Sequence, residues 1–191
     1  ARRVRCLADG LTKLGVQNGE RIGTLEWNTH RHFELYAAVP CAGAVLHTIN
    51  IRLGEEDIAY ILNKAQDVAL FVAAEFLPVI ERIAPQLLFL KHIVVTADAE
   101  MDVATTLQVR NYEAVLDMGR PEFPLADMDE SSPAGMCFTS ATTGKPKGVV
   151  YSHRSLYLHS MALCMADVMG LAERDTIMPV VPMFHANAWG L

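Results

Sequence analysis

The sequence predicts an α/β protein: a mostly parallel sheet with helices on both faces. Three observations carry this reading. Val68 to Ala73 is a continuous apolar run of the kind a strand buried on both faces requires. Segments of helical period alternate with such runs along the first hundred residues. The alternation is close-spaced, which implies βαβ crossovers and therefore parallel neighbours.

Each element has its own local signal. Arg2 to Leu14 places Val4, Leu7, Leu11 and Leu14 on one helix face, and Gly15 to Glu20 breaks it. Arg21 to Trp27 is a strand. Thr29 caps a helix that runs to Gly43, with Phe33, Tyr36, Ala37 and Cys41 expected inside. Val45 to Asn50 is the next strand, followed by a helix from Leu53 to Ala65 whose first turn, Glu55-Glu56-Asp57, suits the positive end of the helix dipole. After the Val68 run comes a helix from about Glu75 to Leu88, interrupted near Pro78 and Pro85, and then a strand from His92 to Thr96. Asp98 to Glu130 is a connector with a short helix around Tyr112 to Met118, and a boundary between two units is placed near residue 130. Residues 1–130 form one α/β unit in this division, and 131–191 begin a second. Arg154 to Met169 is predicted as a helix, apolar on most sides and hence buried, and Thr176 to Met183 as a final strand.

Composition narrows the function classes. With 51% hydrophobic and 20% charged residues, the 191-residue chain can bury a real core. A net charge of −6 speaks against nucleic acid and anionic membranes as general partners, so any anion site must be local. No apolar run is long enough to span a bilayer. Cys6, Cys41, Cys137 and Cys164 are widely spaced, which suits free thiols in a reducing, cytoplasmic setting. The chain opens without methionine and stops at Leu191 without a closing loop, and so reads as an interior piece of something longer.

One stretch has chemistry more specific than packing requires. Between the strand segments Gly135 to Thr139 and Val149 to Ser152 lies a run of hydroxyls, glycines and two lysines. Ser140, Thr142 and Thr143 supply hydroxyls, Gly144 and Gly148 permit close backbone approach, and Lys145 and Lys147 add charge, which together suit a polyphosphate. The Walker pattern fails here, because Thr139 stands where its first glycine belongs and Pro146 where its Mg²⁺-binding hydroxyl belongs. Strands on both sides also distinguish this loop, since a Walker loop opens a helix.

The ordered string Thr-Ser-x-Thr-Thr-Gly-Lys-Pro-Lys-Gly-Val resembles the phosphate loop of the acyl-adenylate-forming, AMP-binding superfamily. Ala141 departs from it, standing where glycine is usual; if that position needs a positive φ, alanine costs on the order of 1 kcal/mol. A second string, Pro-Met-Phe-His-x-Asn-Ala-Trp from Pro182 to Trp189, is similar to a signature of the medium- and long-chain fatty-acyl-CoA synthetases. His185 within it is predicted at a strand end, where ligands gather in α/β sheets.

The resemblance implies the large N-terminal domain of an acyl-CoA synthetase-like fold, an ATP-dependent reaction of a fatty acid or other carboxylate with CoA, and Mg²⁺ as ion. It implies that Thr139, Ser140, Ala141, Thr142, Thr143, Gly144, Lys145 and Lys147 cradle ATP, with Thr139 also toward Mg²⁺. Lys147, Thr143 and His185 would take part in catalysis. His185, Asn187, Trp189 and Gly190 would face the acid, and an aromatic plate such as Trp189 suits the mouth of an apolar tunnel. It further implies that the remaining catalytic parts lie beyond Leu191, so that the 191 residues alone would be inactive. An aryl, amino or short-chain acid, or a non-catalytic nucleotide-binding or assembly module, are the alternatives. A homodimer is compatible with the N-terminal half, although no residue pattern there marks one.

Overall fold

The computed structural model describes residues 1–97, 105–139, 144–178 and 180–185. In chain order its elements are α1 (Arg2–Lys13), β1 (Arg21–Leu25), α2 (His30–Cys41), β2 (Val45–Thr48), α3 (Glu55–Ala65), β3 (Asp67–Val72), α4 (Leu77–Ile83), β4 (His92–Val95), β5 (Val109–Asn111), α5 (Tyr112–Asp117), β6 (Pro133–Thr139), β7 (Lys147–Ser152) and α6 (His153–Cys164). Short 3₁₀ turns, Ala74–Phe76 and Ala84–Gln86, flank α4, so the prolines at 78 and 85 each start a new helical piece.

The strands form one seven-stranded sheet in the order β5-β4-β3-β1-β2-β6-β7. All neighbours are parallel except β6 and β7, which pair antiparallel. β3 is buried at every residue, as its unbroken apolar run requires at the centre of a sheet covered on both sides. One face packs α1, α2 and α5 on Ile22, Leu46, Ala69, Phe71 and Val94. The other packs α3 and α4 on Leu25, Leu70, Val72 and Val95. Gly23 lies beneath this second layer, where an added Cβ would stand 3.1 Å from Leu70 Cδ1 and 3.2 Å from Ile49 Cδ1.

Local signals set the helix starts. Thr29 is extended and accepts from the His32 N–H, and Asn111 does the same for Glu113. α3 begins after Gly54 with its three acidic residues in the first turn and ends at Gln66 in the left-handed region.

Four expectations are corrected. α2 buries His32, Leu35, Ala38 and Val39 rather than the face holding Phe33 and Ala37, and Phe33 is 62% exposed. The reason is that His32 can be buried: its ring bonds the Thr24 hydroxyl at 3.0 Å and the Trp27 carbonyl at 2.9 Å. β5 is an additional edge strand inside the predicted connector, too short at three residues to show a period. α6 ends at Cys164 and none of its residues is buried; Tyr157, Leu158 and Met161 face outward. An apolar stripe states that a face wants covering, but not what covers it.

The fourth correction is the strand expected at Thr176 to Met183, none of whose described residues joins the sheet. The end of that segment instead lies against β1 and β2, where side chains bond its backbone in place of a ladder.

Candidate active site

β6 adds to the sheet beside β2 with Thr48 opposite Cys137, so Thr139 projects two residues past the carboxyl end of β2. There the chain reverses into β7, with Thr139 paired to Lys147. The strand ends on either side of the hydroxyl-rich stretch thus meet at the carboxyl edge, the side of an α/β sheet where ligands bind. Thr139 Oγ1 lies 3.5 Å from the Lys147 carbonyl.

Gly144 has φ +99 and an added Cβ would meet nothing within 4 Å, so the glycine is required by backbone conformation alone. Lys145 Nζ sits 4.8 Å from the centroid of the Tyr60 ring of α3, a cation–π contact that tethers one side of the tip. Lys147 and Gly148 are exposed. Ser140, Ala141, Thr142 and Thr143 lie outside the described residues, as do Asn187, Trp189 and Gly190.

Behind the hairpin lies a buried His–Asp contact that sequence reasoning did not single out. His47 of β2 approaches Asp67 at 2.6 Å, both side chains fully buried, and the His47 ring lies 5.2 Å from the Phe138 ring, one residue before Thr139. Burial pushes the Asp67 carboxyl up, and His47 offsets part of that rise. Among the described residues, His47 Nε2 and Asp67 Oδ1 have no hydrogen-bond partner.

The second predicted constellation arrives at the same edge. His185 is exposed on a turn closed by its N–H to the Pro182 carbonyl at 3.0 Å, while Met183 and Phe184 are buried. Asn28, just past β1, donates Nδ2 to the Val181 carbonyl at 3.0 Å and accepts from the Met183 N–H at 2.7 Å. Tyr36 of α2 donates its hydroxyl to the Met183 carbonyl, and Thr48 Oγ1 donates to the Phe184 carbonyl at 3.2 Å. Burial pushes the Tyr36 phenol above its ordinary range, so it stays a donor. Thr139, Gly144, Lys145, Lys147 and His185 therefore stand at one sheet edge.

Asn28, Tyr36 and Thr48 were missed as site residues. A polar residue at or just past the carboxyl end of a parallel strand is the signal that could have found Asn28 and Thr48. Glu26 was also missed. It accepts from the Trp27 N–H at 2.8 Å and from the Thr96 hydroxyl, and burial pushes its carboxyl up to about 7.

The donor set bears on what the edge can hold. Two lysines, a glycine in an open conformation and a strand-end hydroxyl suit phosphate oxygens. Toward Mg²⁺ they offer the neutral oxygen of Thr139, and among the described residues no group of three or more His, Cys, Asp or Glu could hold a metal ion. The edge thus suits a phosphate chain whose own oxygens would carry the ion, with the Thr139 hydroxyl available as one neutral oxygen.

Known proteins are similar to this chain in sequence and in fold. A 3-methylmercaptopropionyl-CoA ligase of Ruegeria lacuscaerulensis is 47% identical over 191 residues, covering 100% of this chain and 35% of that protein. A long-chain-fatty-acid–CoA ligase of Thermus thermophilus is 47% identical over 189 residues, covering 99% of this chain and 34% of that protein. The chain thus spans about a third of the length of the relatives it matches. Among solved structures, the anthranilate CoA ligase AuaEII in complex with anthranoyl-AMP superposes with a TM-score of 0.87 at 26% identity, covering 96% of this chain and 34% of that one. The profile of the family described as AMP-binding enzyme matches residues 1–191, and by that full-length match the chain belongs to the AMP-binding enzyme family.

Proposed function

We propose that this chain is the N-terminal part of the large domain of an ATP-dependent fatty-acyl-CoA synthetase. In the first half-reaction a carboxylate oxygen attacks the α-phosphorus of ATP, giving acyl-AMP and pyrophosphate. In the second the CoA thiol displaces AMP to give acyl-CoA. The observation that supports this most is the meeting of a cationic, glycine-shaped hairpin and the His185 turn at one carboxyl edge of the sheet. Two anions must be brought together there, and negative charge moves onto the leaving pyrophosphate. Lys147, Lys145, the hydroxyls of Thr139, Ser140, Thr142 and Thr143, and the amides around Ala141 and Gly144 would offset that charge. Mg²⁺, when bound, would supply further neutralisation of the phosphates, with Thr139 as its one ligand among these residues. His185 would donate toward the acid carboxylate, with Asn187, Trp189 and Gly190 lining its approach. In this proposal residues 1–130 and 131–191 belong to two units of the enzyme. The four free thiols suit a cytoplasmic location, and a homodimer through the N-terminal half completes the reading.

The test is ATP–pyrophosphate exchange by the protein that carries this chain, in the presence of fatty acids. Lys147→Ala and Thr143→Ala should each lower exchange by about a hundredfold, the order expected for removing one preorganised donor to developing charge. The 191 residues alone should show no turnover. Absence of exchange with every fatty or aryl acid would sink the proposal. A second reading keeps the chemistry and changes the acid to a short-chain or aryl one. It is supported by the names of the Ruegeria and anthranilate relatives, and direct competition among acids in the same assay decides between the two.

A further inference from the structure

Residues 181–184 carry an unusual backbone arrangement. They form no ladder, yet Met183 and Phe184 are buried, and backbone groups taken out of water must be paired. The partners are side chains from the opposite end of the chain. Asn28 uses both ends of its amide, on the Val181 carbonyl and the Met183 N–H, as a neighbouring strand would. Tyr36 and Thr48 cap the next two carbonyls, those of Met183 and Phe184. Three of these four residues, Val181, Met183 and Phe184, are thereby gripped from two strand ends and a helix, across sequence separations of 136 to 155 residues. His185 follows the buried Met183 and Phe184 and faces solvent.

We infer that Asn28, Tyr36 and Thr48 are positioning residues for the acid-binding half of the site. They clamp the backbone of residues 181–184 so that His185 is presented at the carboxyl edge beside the phosphate hairpin. None of the three needs to touch a substrate. Their effect on the reaction passes through the placement of His185, where a shift of about 1 Å is enough to cost on the order of a hundredfold in rate. The kinetic part of the inference rests on the proposed adenylation of a carboxylate; the clamp itself does not.

The protein offers an internal control. Asn63, at the end of α3, grips residues 86 and 88 in the same two-pronged way, donating to the Gln86 carbonyl at 2.8 Å and accepting from the Leu88 N–H at 2.9 Å. It lies at the opposite, amino edge of the sheet, where Lys91 enters β4 beside Val68. Its loss should cost comparable stability and leave the acid site alone.

The experiment compares Asn28→Ala, Tyr36→Phe and Asn63→Ala in the full protein by hydrogen exchange and by exchange kinetics. In Asn28→Ala the Met183 amide should exchange about fivefold faster or more, the change expected when a net hydrogen-bond contribution of about 1 kcal/mol is lost. The KM for the acid should rise about tenfold in Asn28→Ala and less in Tyr36→Phe, while the KM for ATP stays within about twofold. Asn63→Ala should lower Tm without moving either constant. Unchanged protection at residues 181–185 overturns the clamp, whether or not the protein shows any activity. Faster amide exchange with both the acid KM and kcat like those of the parent overturns the positioning role. Should Asn28→Ala fail to fold, Tyr36→Phe removes one hydroxyl only and carries both measurements. A parent protein that exchanges with no acid refutes the adenylation reading, and the amide protection then decides the clamp.

Discussion

Two buried side chains around β1 titrate in opposite directions. Burial raises Glu26 to about 7, so its contribution to stability is fully present below the ordinary glutamate range and is lost as pH rises through 7. Burial lowers His32 to about 4, so its contribution is fully present above the ordinary histidine value of 6.5 and is lost as pH falls through 4. Their slopes oppose each other between about pH 4.5 and 6.5 and partly cancel. Glu26→Gln removes one of the two. The urea midpoint of that variant should fall more steeply than the parent's as pH drops across this window. A variant profile parallel to the parent's would show that Glu26 does not carry the raised value. Glu26 stands close to Glu75 and Arg31, so the measurement is best made at moderate salt, where the two longer-range charges are damped.

At the scale of elements, the helix layer α1–α2–α5 depends on close backbone approach as well as apolar burial. Arg3 bonds Glu34 of α2 at 2.6 Å and Glu113 of α5 at 2.9 Å, and Tyr112 donates to the same Glu34 at 2.7 Å. Gly10 permits the contact: an added Cβ would stand 2.2 Å from the Val115 carbonyl oxygen. Alanine is the better helix former by about 1 kcal/mol. Even so, Gly10→Ala should destabilise the protein by about 1–3 kcal/mol, because neither backbone can yield without moving a helix. Chemical denaturation checks this, and a Gly10→Ala protein as stable as its parent would mean that α1 and α5 are not packed as closely as described.

Across the whole molecule, protection should follow depth in the sheet. β1 and β3 lie in the middle of the strand order and are covered on both faces, whereas β7 is an edge strand with its first four residues exposed. Native-state hydrogen exchange should therefore find the slowest amides in β1 and β3 and the fastest strand amides in β7. Slow exchange throughout β7 would require a cover that the described residues do not supply. The same gradient places β7, and with it Lys147, at the least protected edge of the sheet.

What was legible without coordinates was what neighbours in sequence encode. The buried run around Val68, the acidic first turn of α3, the Thr29 cap and the breaks at Pro78 and Pro85 are each decided within a few residues, and the structure follows them. The hydroxyl–glycine–lysine string between two apolar segments marked a loop joining strand to strand, and its family resemblance, for the same reason. The inward face of α2 was not legible, because burying His32 depends on Thr24 from another element. Nor was the course of residues 181–184, whose backbone is satisfied by Asn28, Tyr36 and Thr48 more than a hundred positions away. Periodicity and short motifs report local preference, but a hydrogen bond across such a separation leaves no local trace. Only the folded sheet, by bringing the ends of β1 and β2 side by side, decided which polar side chains would hold His185 in place.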